Sequence, residues 1–389
     1  MAGLPAVRVS RKGADRVVSG HPWIFLSDVI DRGAAQPGDA VHVFGPGNRP
    51  LGTAHFSAAS QITLRLLARE LITPDAAFFR ARIAQAAAFR RRTVENSDAY
   101  RLVYGEGDQL PALIVDRYGD CLVIQTLNQG MDRSKAEIIA VLNETLAPGA
   151  IVERNDVAIR AREDLPLSSG VLAGELPEPI AVLMNGMRWR ADLLHGQKTG
   201  VFLDQRENYM AAVRYARGRA LDCFTATGGF ALHIAGRCEH VEAIDSSAST
   251  LATAEANRDA NGIRNVTFRE ADAFEALAMH VHARQRFDTI VLDPPAFAKS
   301  RQAVEGAARG YKEINLRALR LLGPGGILVT CSCSHHFSEA MLLETVAAAA
   351  LDAGRVLRVL ERRTQSQDHP ILLTVPETHY LKCLVLEVI

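Results

Sequence analysis

A buried strand that stops on two prolines constrains this chain more than any other feature. The stretch is FDTIVLDPPAFAKS, Phe287 to Ser300. Ile290, Val291 and Leu292 form an apolar, largely β-branched run, the pattern of a central parallel strand covered on both faces. Pro294 and Pro295 lack amide hydrogens and cannot continue such a strand. Asp293 is therefore expected at the strand's carboxyl end, where open α/β sheets place their ligands. The paired prolines stiffen the loop after the strand, so Asp293 and the Pro294 carbonyl make a fixed edge suited to a flat polar group. Alone, D-P-P reads equally well as a surface Asp before a proline turn. Its neighbours decide.

From about residue 190 onward strands and helices alternate, which predicts a parallel sheet. Ala220 to Phe224 reads as the first strand, and Thr225-Ala226-Thr227-Gly228-Gly229 as a turn that lets the backbone approach a ligand. The turn lacks the full G-x-G-x-x-G, which disfavours a dinucleotide pyrophosphate. The second strand, His240 to Ile244, ends in Asp245 and Ser246. An acid about 20 residues after the turn suits two ribose hydroxyls. Asp272, after a third strand at Val266 to Phe268, is placed to accept a hydrogen bond from an adenine amino group. The fourth strand is the opening stretch. A helix at about Gly310 to Leu322 and a fifth strand, Gly325 to Thr330, lead into Cys331-Ser332-Cys333-Ser334.

Ahead of this unit, Asn185-Gly186 between alternating residues is a hairpin signal. Next comes HGQKTGVFLDQREN, in which Gly196 and Gly200 bracket Gln197, Lys198 and Thr199. Asp204 to Asn208 opens a helix with acids in its first turn. Such a loop is well placed to cover a cofactor.

The first 71 residues hold short alternating runs, VHVF and QITLRLL, with Gly and Pro between them. They predict a small β-barrel. Bases outnumber acids here, and Arg8, Arg11, Lys12 and Arg16 fall in the opening stretch, a distribution that could follow a phosphate backbone. Trp23 and Phe25 read as core rather than as base-stacking groups. Residues 72–180 predict a small α+β unit. It comprises an Ala-rich helix from Thr73-Pro74-Asp75 to about Val94, two strands around Tyr118-Gly119-Asp120, a helix at about Asp132 to Leu146 and a strand near Ala150. Arg90-Arg91-Arg92 reads as a solvated helix end. Gly105-Glu106-Gly107-Asp108 reads as a turn rather than a metal loop.

The 389 residues exceed one ordinary domain. The expected division is 1–71, 72–180 and 181–389. No apolar run approaches the roughly 18 residues of a membrane span, and the N-terminus has no secretory h-region. Six scattered cysteines with no C-x-x-C pair suggest neither a disulfide framework nor a zinc site, and no metal is expected. A reducing cytoplasm fits. Zero net charge argues against a chain-wide nucleic-acid coat, though not against a local basic surface.

The order of turn, Asp245, Asp272 and Asp293 resembles the class I S-adenosylmethionine-dependent methyltransferases. The resemblance implies an α/β, Rossmann-like sheet in which Phe224, Thr225, Thr227 and Gly228 hold the methionine part. Asp245 and Ser246 would hold the ribose and Asp272 the adenine. Gln197, Lys198, Asp204, Arg206 and Asp293 would complete the S-adenosyl-L-methionine site. The run from Ser10-Arg11-Lys12 to Trp23-Ile24-Phe25 resembles the start of a PUA domain, which implies RNA contacts at Arg11, Lys12 and Arg16. A closer resemblance covers nearly the whole chain. GQKTGVFLDQREN, DCFTATGGF, LDPPAFAKS, ARGYKEINLRAL, SCS, DHP and HYLKCLVLEV look like the bacterial 23S ribosomal RNA (cytosine-5)-methyltransferase family. That likeness implies that Asp293 and Pro294 sit at the target base and that Cys333 is the nucleophile. It implies 23S ribosomal RNA, or a ribosomal assembly intermediate, as partner, and is compatible with a homodimer.

Carbon 5 of cytosine is too weak a nucleophile to take a methyl directly, and a thiolate added at carbon 6 activates it. Cys331 and Cys333 are two apart, so strand periodicity gives both the same face and cannot choose between them. Cys333 lies nearer the crevice and matches the family position. The elimination base is not identified. Lys299 and water are candidates, because Ala296 and Phe297 stand where other enzymes making this product carry a second cysteine. Phe297 could stack on the base or belong to the core. Two rival readings remain: methylation of an exocyclic amine, which needs no thiolate, and a non-catalytic RNA-binding protein in ribosome assembly.

Overall fold

The computed structural model describes residues 3–177, 180–196 and 201–389. The chain forms two compact units. One comprises the residues up to Leu183 together with Ala191–Val201 and Gln367–Thr378. The other comprises Met184–Arg190, Phe202–Ser366 and His379–Ile389.

The first unit carries two sheets. Strands β1 (Ala6–Val9), β2 (Trp23–Phe25), β3 (Val29–Asp31), β4 (Ala40–Phe44), β5 (Pro50–Phe56) and β6 (Ile62–Ala68) pair in the order β2-β6-β5-β4-β1-β3. Val7, Val9, Ile24, Val41, Val43 and Leu64 alternate into its core. The helix Arg11–Val18 is capped by Ser10, whose hydroxyl accepts from the Gly13 amide at 3.1 Å. Trp23 and Phe25 are half-buried, and each carries a guanidinium over its ring, Arg65 at 5.6 Å and Arg16 at 4.7 Å.

The second sheet orders β7 (Ala99–Tyr104), β8 (Leu113–Tyr118), β9 (Cys121–Thr126), β10 (Ala150–Arg154) and β11 (Ser169–Gly174) as β11-β10-β9-β8-β7. The β8–β9 hairpin turns at Gly119, with φ of +60°. The parallel pair β9–β10 is joined through the helix Lys135–Leu146. The Ala-rich helix spans Ala76–Thr93, with Asp75 accepting from the Phe78 amide at its start.

The arginine run at that helix end divides. Arg91 and Arg92 are exposed, but Arg90 is buried. Its guanidinium forks onto the Asp108 carboxylate and also donates to the Asp368 carbonyl at 2.6 Å. The Asp368 carboxylate accepts from the Arg101 amide at 2.8 Å. The expectation of a solvated helix end therefore fails for Arg90. The acid-rich loop supplies its counter-charge, while Glu106 of the same loop accepts from the Trp23 indole at 2.7 Å.

Strands β12 (Ile180–Met184) and β13 (Met187–Ala191) form the hairpin. Both turn residues take positive φ, Asn185 +53° and Gly186 +76°, as a type I′ turn requires.

The second unit is built on β14 (Gly218–Cys223), β15 (Cys238–Asp245), β16 (Val266–Glu270), β17 (Phe287–Leu292), β18 (Leu322–Ser332), β19 (Leu357–Arg363) and β20 (Lys382–Val388), ordered β16-β15-β14-β17-β18-β20-β19. The expected parallel sheet is modified at one edge, because β20 inserts antiparallel between β18 and β19. The helix before β18 begins at Val304, earlier than its spacing suggested, and β18 begins at Leu322. Strand order reverses between β15 and β17, either side of β14, so a crevice opens at the carboxyl ends of these strands.

Removing one partner of a buried ion pair costs about 3–5 kcal/mol. Arg90→Met should therefore lower the first urea transition of the full chain by that order, whereas Arg91→Ala, on the exposed side, should shift it by less than about 0.5 kcal/mol.

Candidate active site

Local backbone shape makes the first wall of the crevice. After β14, Phe224 and Ala226 adopt φ of +65° and +48°, a region costing non-glycine residues roughly 1–3 kcal/mol each. Hydrogen bonds hold the turn against that cost. The Thr225 amide donates to the Ile244 carbonyl at 3.0 Å. The Thr225 hydroxyl and the Ala231 amide both donate to one Asp222 carboxylate oxygen, at 2.6 and 2.9 Å. The Ala226 amide donates to Asp245 at 2.9 Å. Gly228, with φ of +93°, leads into the helix Gly229–Ile234. A methyl group on Gly229 would overlap the Tyr209 ring. Tyr209 in turn stacks on His233, whose other face meets Trp189. Burial lowers the His233 pKa to about 4, so this histidine is a neutral core residue.

Asp222 was not among the residues that the sequence pointed to. It is fully buried, and its Oδ1 has no hydrogen-bond partner among the described residues. Burial raises its pKa to about 7, and the carboxylates of Asp293 and Asp245 push in the same direction. Asp293 and Asp245 thus each raise the cost of ionising Asp222. A ligand bearing positive charge would relieve their mutual repulsion. S-adenosylmethionine carries an ammonium and a sulfonium, so the residues present fit it.

The other expected residues differ in burial and in partners. Asp245 is half-buried and accepts from the Ser247 amide at 3.0 Å through its second oxygen. Ser246 is exposed, and the Thr227 carbonyl accepts from the Asn257 amide group at 3.2 Å. Asp272 is exposed and caps the helix Ala273–His282, accepting from the Glu275 amide at 3.0 Å. Asp204 and Arg206 are both buried. Asp204 accepts from the Tyr380 hydroxyl at 2.7 Å, and its carbonyl accepts from the Ser366 amide at 2.8 Å. The Arg206 carbonyl accepts from Asn185 at 2.8 Å. Gln197 and Lys198 lie outside the described residues.

On the other wall, β17 ends at Leu292 and Asp293 comes directly after it. Gln205 reaches Asp293, its side-chain amide donating at 2.9 Å. Gln205 is itself held by Asn208 at 2.7 Å, and Asn208 by Arg363 at 3.0 Å. Sequence reading missed Gln205, although it lies between Asp204 and Arg206. Burial does not distinguish it from those neighbours; its hydrogen bond to Asp293, visible only in three dimensions, does.

Beside β17, on the neighbouring parallel strand, stands the end of β18. Cys331 is fully buried inside the strand and opposite Cys383. Burial first, and then the neighbouring Cys383, push its thiol well above the ordinary range. Cys333 lies just past the strand, half-buried, with its sulfur 4.0 Å from the Pro294 carbonyl. Both flanking serines are tied to one phenol: Ser332 donates to the Tyr311 hydroxyl at 2.8 Å, and Ser334 lies 3.1 Å from it. Ser334 also accepts from the Ala298 amide at 3.1 Å, locking the loop after the two prolines to the same point. Phe297 packs between Tyr311, at 4.7 Å between centroids, and Phe274, at 6.0 Å. Lys299 is exposed. In the first unit, Arg11 and Lys12 are exposed on the first helical turn, while Arg16 is partly covered over Phe25.

Comparison with known proteins agrees with this architecture. Residues 101–384 match the S-adenosylmethionine-dependent methyltransferase family, and residues 7–69 match the PUA-like domain family. The chain is 42% identical to a ribosomal RNA large subunit methyltransferase I of Shewanella amazonensis, with 95% of each chain covered. It is 38% identical to the protein of that name in Klebsiella pneumoniae, with 96% of each covered. Its fold is similar to that of a putative SAM-dependent methyltransferase from Streptococcus mutans, with TM-score 0.84, 20% identity and coverage of 99% and 100%. It is also similar to a putative methyltransferase complexed with SAH, with TM-score 0.85, 20% identity and the same coverage.

If a cationic ligand draws Asp222 into its ionised form, binding weakens as pH falls through about 7, because a proton must then be released. Titration calorimetry with S-adenosylmethionine should show that loss in the native chain. Asp222→Asn should bind about tenfold more weakly at pH 8 and lose the pH dependence, a change of about 1.4 kcal/mol.

Proposed function

The chain belongs to the S-adenosylmethionine-dependent methyltransferase family, and its relatives are large-subunit ribosomal RNA methyltransferases; from that premise we propose that it methylates carbon 5 of a cytosine in 23S ribosomal RNA through a covalent adduct of Cys333. The observation that carries the proposal is the approach of a half-buried Cys333 sulfur to the Pro294 carbonyl, 4.0 Å away, beside an Asp293 braced by Gln205.

S-adenosylmethionine supplies an electrophilic methyl group. The protein's task is to make carbon 5 nucleophilic and to hold it in line. Cys333 adds to carbon 6 of the ring as a thiolate. Asp293 and the Pro294 carbonyl grip the polar edge of the base; ring nitrogen N3 takes up a proton from solvent and donates it in a hydrogen bond to the Asp293 carboxylate, so that the ring accepts the added electron pair. After methyl transfer, loss of the carbon 5 proton to water or to Lys299 expels the Cys333 thiolate and restores the ring. Phe224, Thr225, Thr227 and Gly228 present main-chain groups to the methionine part, with Asp245 and Ser246 at the ribose and Asp272 at the adenine. Asp204 and Arg206 fix the short 3-10 turn Leu203–Gln205 and the start of the helix Arg206–Tyr215 that follows it. The base must leave its stack to enter such a crevice. The PUA-like domain offsets that cost through phosphate contacts at Arg11, Lys12 and Arg16.

Methylation of an exocyclic amine would use the same Asp293 edge but no thiolate. Cys333→Ala separates the two: the covalent route loses on the order of 10³-fold or more in rate, whereas amine methylation persists. Mapping 5-methylcytosine in ribosomal RNA from a deletion strain tests the substrate, and an unchanged map would overturn it. Arg11→Glu with Lys12→Glu should weaken RNA binding and flatten its salt dependence by about one to two counterions, while binding of S-adenosylmethionine is unaltered.

A further inference from the structure

Lys382 is the first residue of β20 and is 4% exposed. In the β18–β20 register it stands opposite Ser332, one residue before Cys333. Its ammonium donates to the Ser334 carbonyl and to the Tyr380 carbonyl, each at 2.7 Å. Both acceptors are neutral, and among the described residues no carboxylate forms an ion pair with it. The acid that acts on it electrostatically, Glu339, is paired with Arg362.

A buried ammonium without a counter-anion is costly, and a negative charge arising beside it would offset that cost. Two main-chain carbonyls satisfy two of its three hydrogens, and one of them belongs to Ser334, the residue directly after Cys333. Burial lowers the Lys382 pKa to about 8, and the neighbouring Cys333 and Glu339 pull it back up.

We propose that Lys382 is a positioning residue that keeps Cys333 in its thiolate form. This rests on the reading of Cys333 as nucleophile. The Cys333 S–H bond breaks, its electron pair stays on sulfur, and the proton passes to solvent water. The Lys382 ammonium is the compensating charge, as cations beside reactive thiols commonly are. The same charge is again in place when sulfur leaves carbon 6. Among the described residues, other titratable groups near this pair include Tyr311, which ties Ser332 and Ser334, Asp293 directly after β17, His335 stacked on Tyr380 at 5.3 Å, its neighbour His336, and Glu339. Asp293 and Glu339 bring negative charge, which raises a thiol pKa, so Lys382 acts against them.

The test is the pH dependence of Cys333 alkylation by iodoacetamide, read peptide by peptide in the full chain by mass spectrometry. In the native protein the midpoint should lie below the ordinary thiol value of about 8.5; a midpoint at or above it overturns the proposal without any variant. Lys382→Met, close in shape, should raise the midpoint by at least about one unit and slow alkylation at pH 7 about tenfold. Lys382→Arg should stay within a few tenths of a unit of the native value. An unmoved midpoint in Lys382→Met, or an equal shift in Lys382→Arg, would overturn it. Binding of S-adenosylmethionine confirms that each variant is folded. The thiol measurement does not depend on turnover. If Cys333→Ala retains methylation, the covalent reading fails while the Lys382 effect on the thiol still stands or falls by itself.

Discussion

The Tyr311 hydroxyl is the point on which the Cys333 wall of the second unit depends. It is buried, and it ties together three pieces of chain that are distant in sequence. The Ser332 and Ser334 hydroxyls meet it from the end of β18, and Ser334 in turn receives the Ala298 amide from the loop after β17. Cys333 has little freedom between two anchored serines. A buried polar network of this kind is worth having only when its members are satisfied, and here each hydroxyl has a partner. The S-C-S triplet and the tyrosine of the helix Val304–Leu321 are thus one device, although the sequence separates them.

The two walls are stiffened by different means. After β17 the restraint is covalent, since Pro294 and Pro295 fix the backbone. After β14 it is polar: the left-handed residues Phe224 and Ala226 persist because Asp222, Asp245 and the Ile244 carbonyl hold the turn between them. The acids serving that turn also set its charge, so one group of side chains supports the backbone and prepares a negative floor. Stability and ligand preference arise there from the same contacts.

Much of the fold was legible because its signals are local. Proline fixes where β17 must stop, Asn185-Gly186 fixes a type I′ turn, and alternating strand and helix patterns give the Rossmann-like sheet. Antiparallel β20 was not legible, since an apolar strand carries no mark of its direction. The two cysteines were indistinguishable by periodicity. What separates them is that β18 ends between them, leaving Cys331 inside the sheet and Cys333 just beyond it. Gln205 and Lys382 were invisible for a related reason. Each matters through a partner far along the chain, and neither residue type announces burial. Arg90 was misjudged because three adjacent arginines look alike in one dimension, while a helix turns only one of them inward.

The interleaving of the two units bears on the order in which the protein can be completed. Gln367–Thr378 belongs to the unit that otherwise ends at Val201, and Asp368 meets both Arg90 and the Arg101 amide. As the chain leaves the ribosome, those groups emerge 278 and 267 residues before their partner. The first unit therefore cannot reach its final hydrogen bonding while the second is still being synthesised. Vectorial folding, one unit after the other, is closed to this chain. Its last locking step comes after nearly all of the polypeptide has been made.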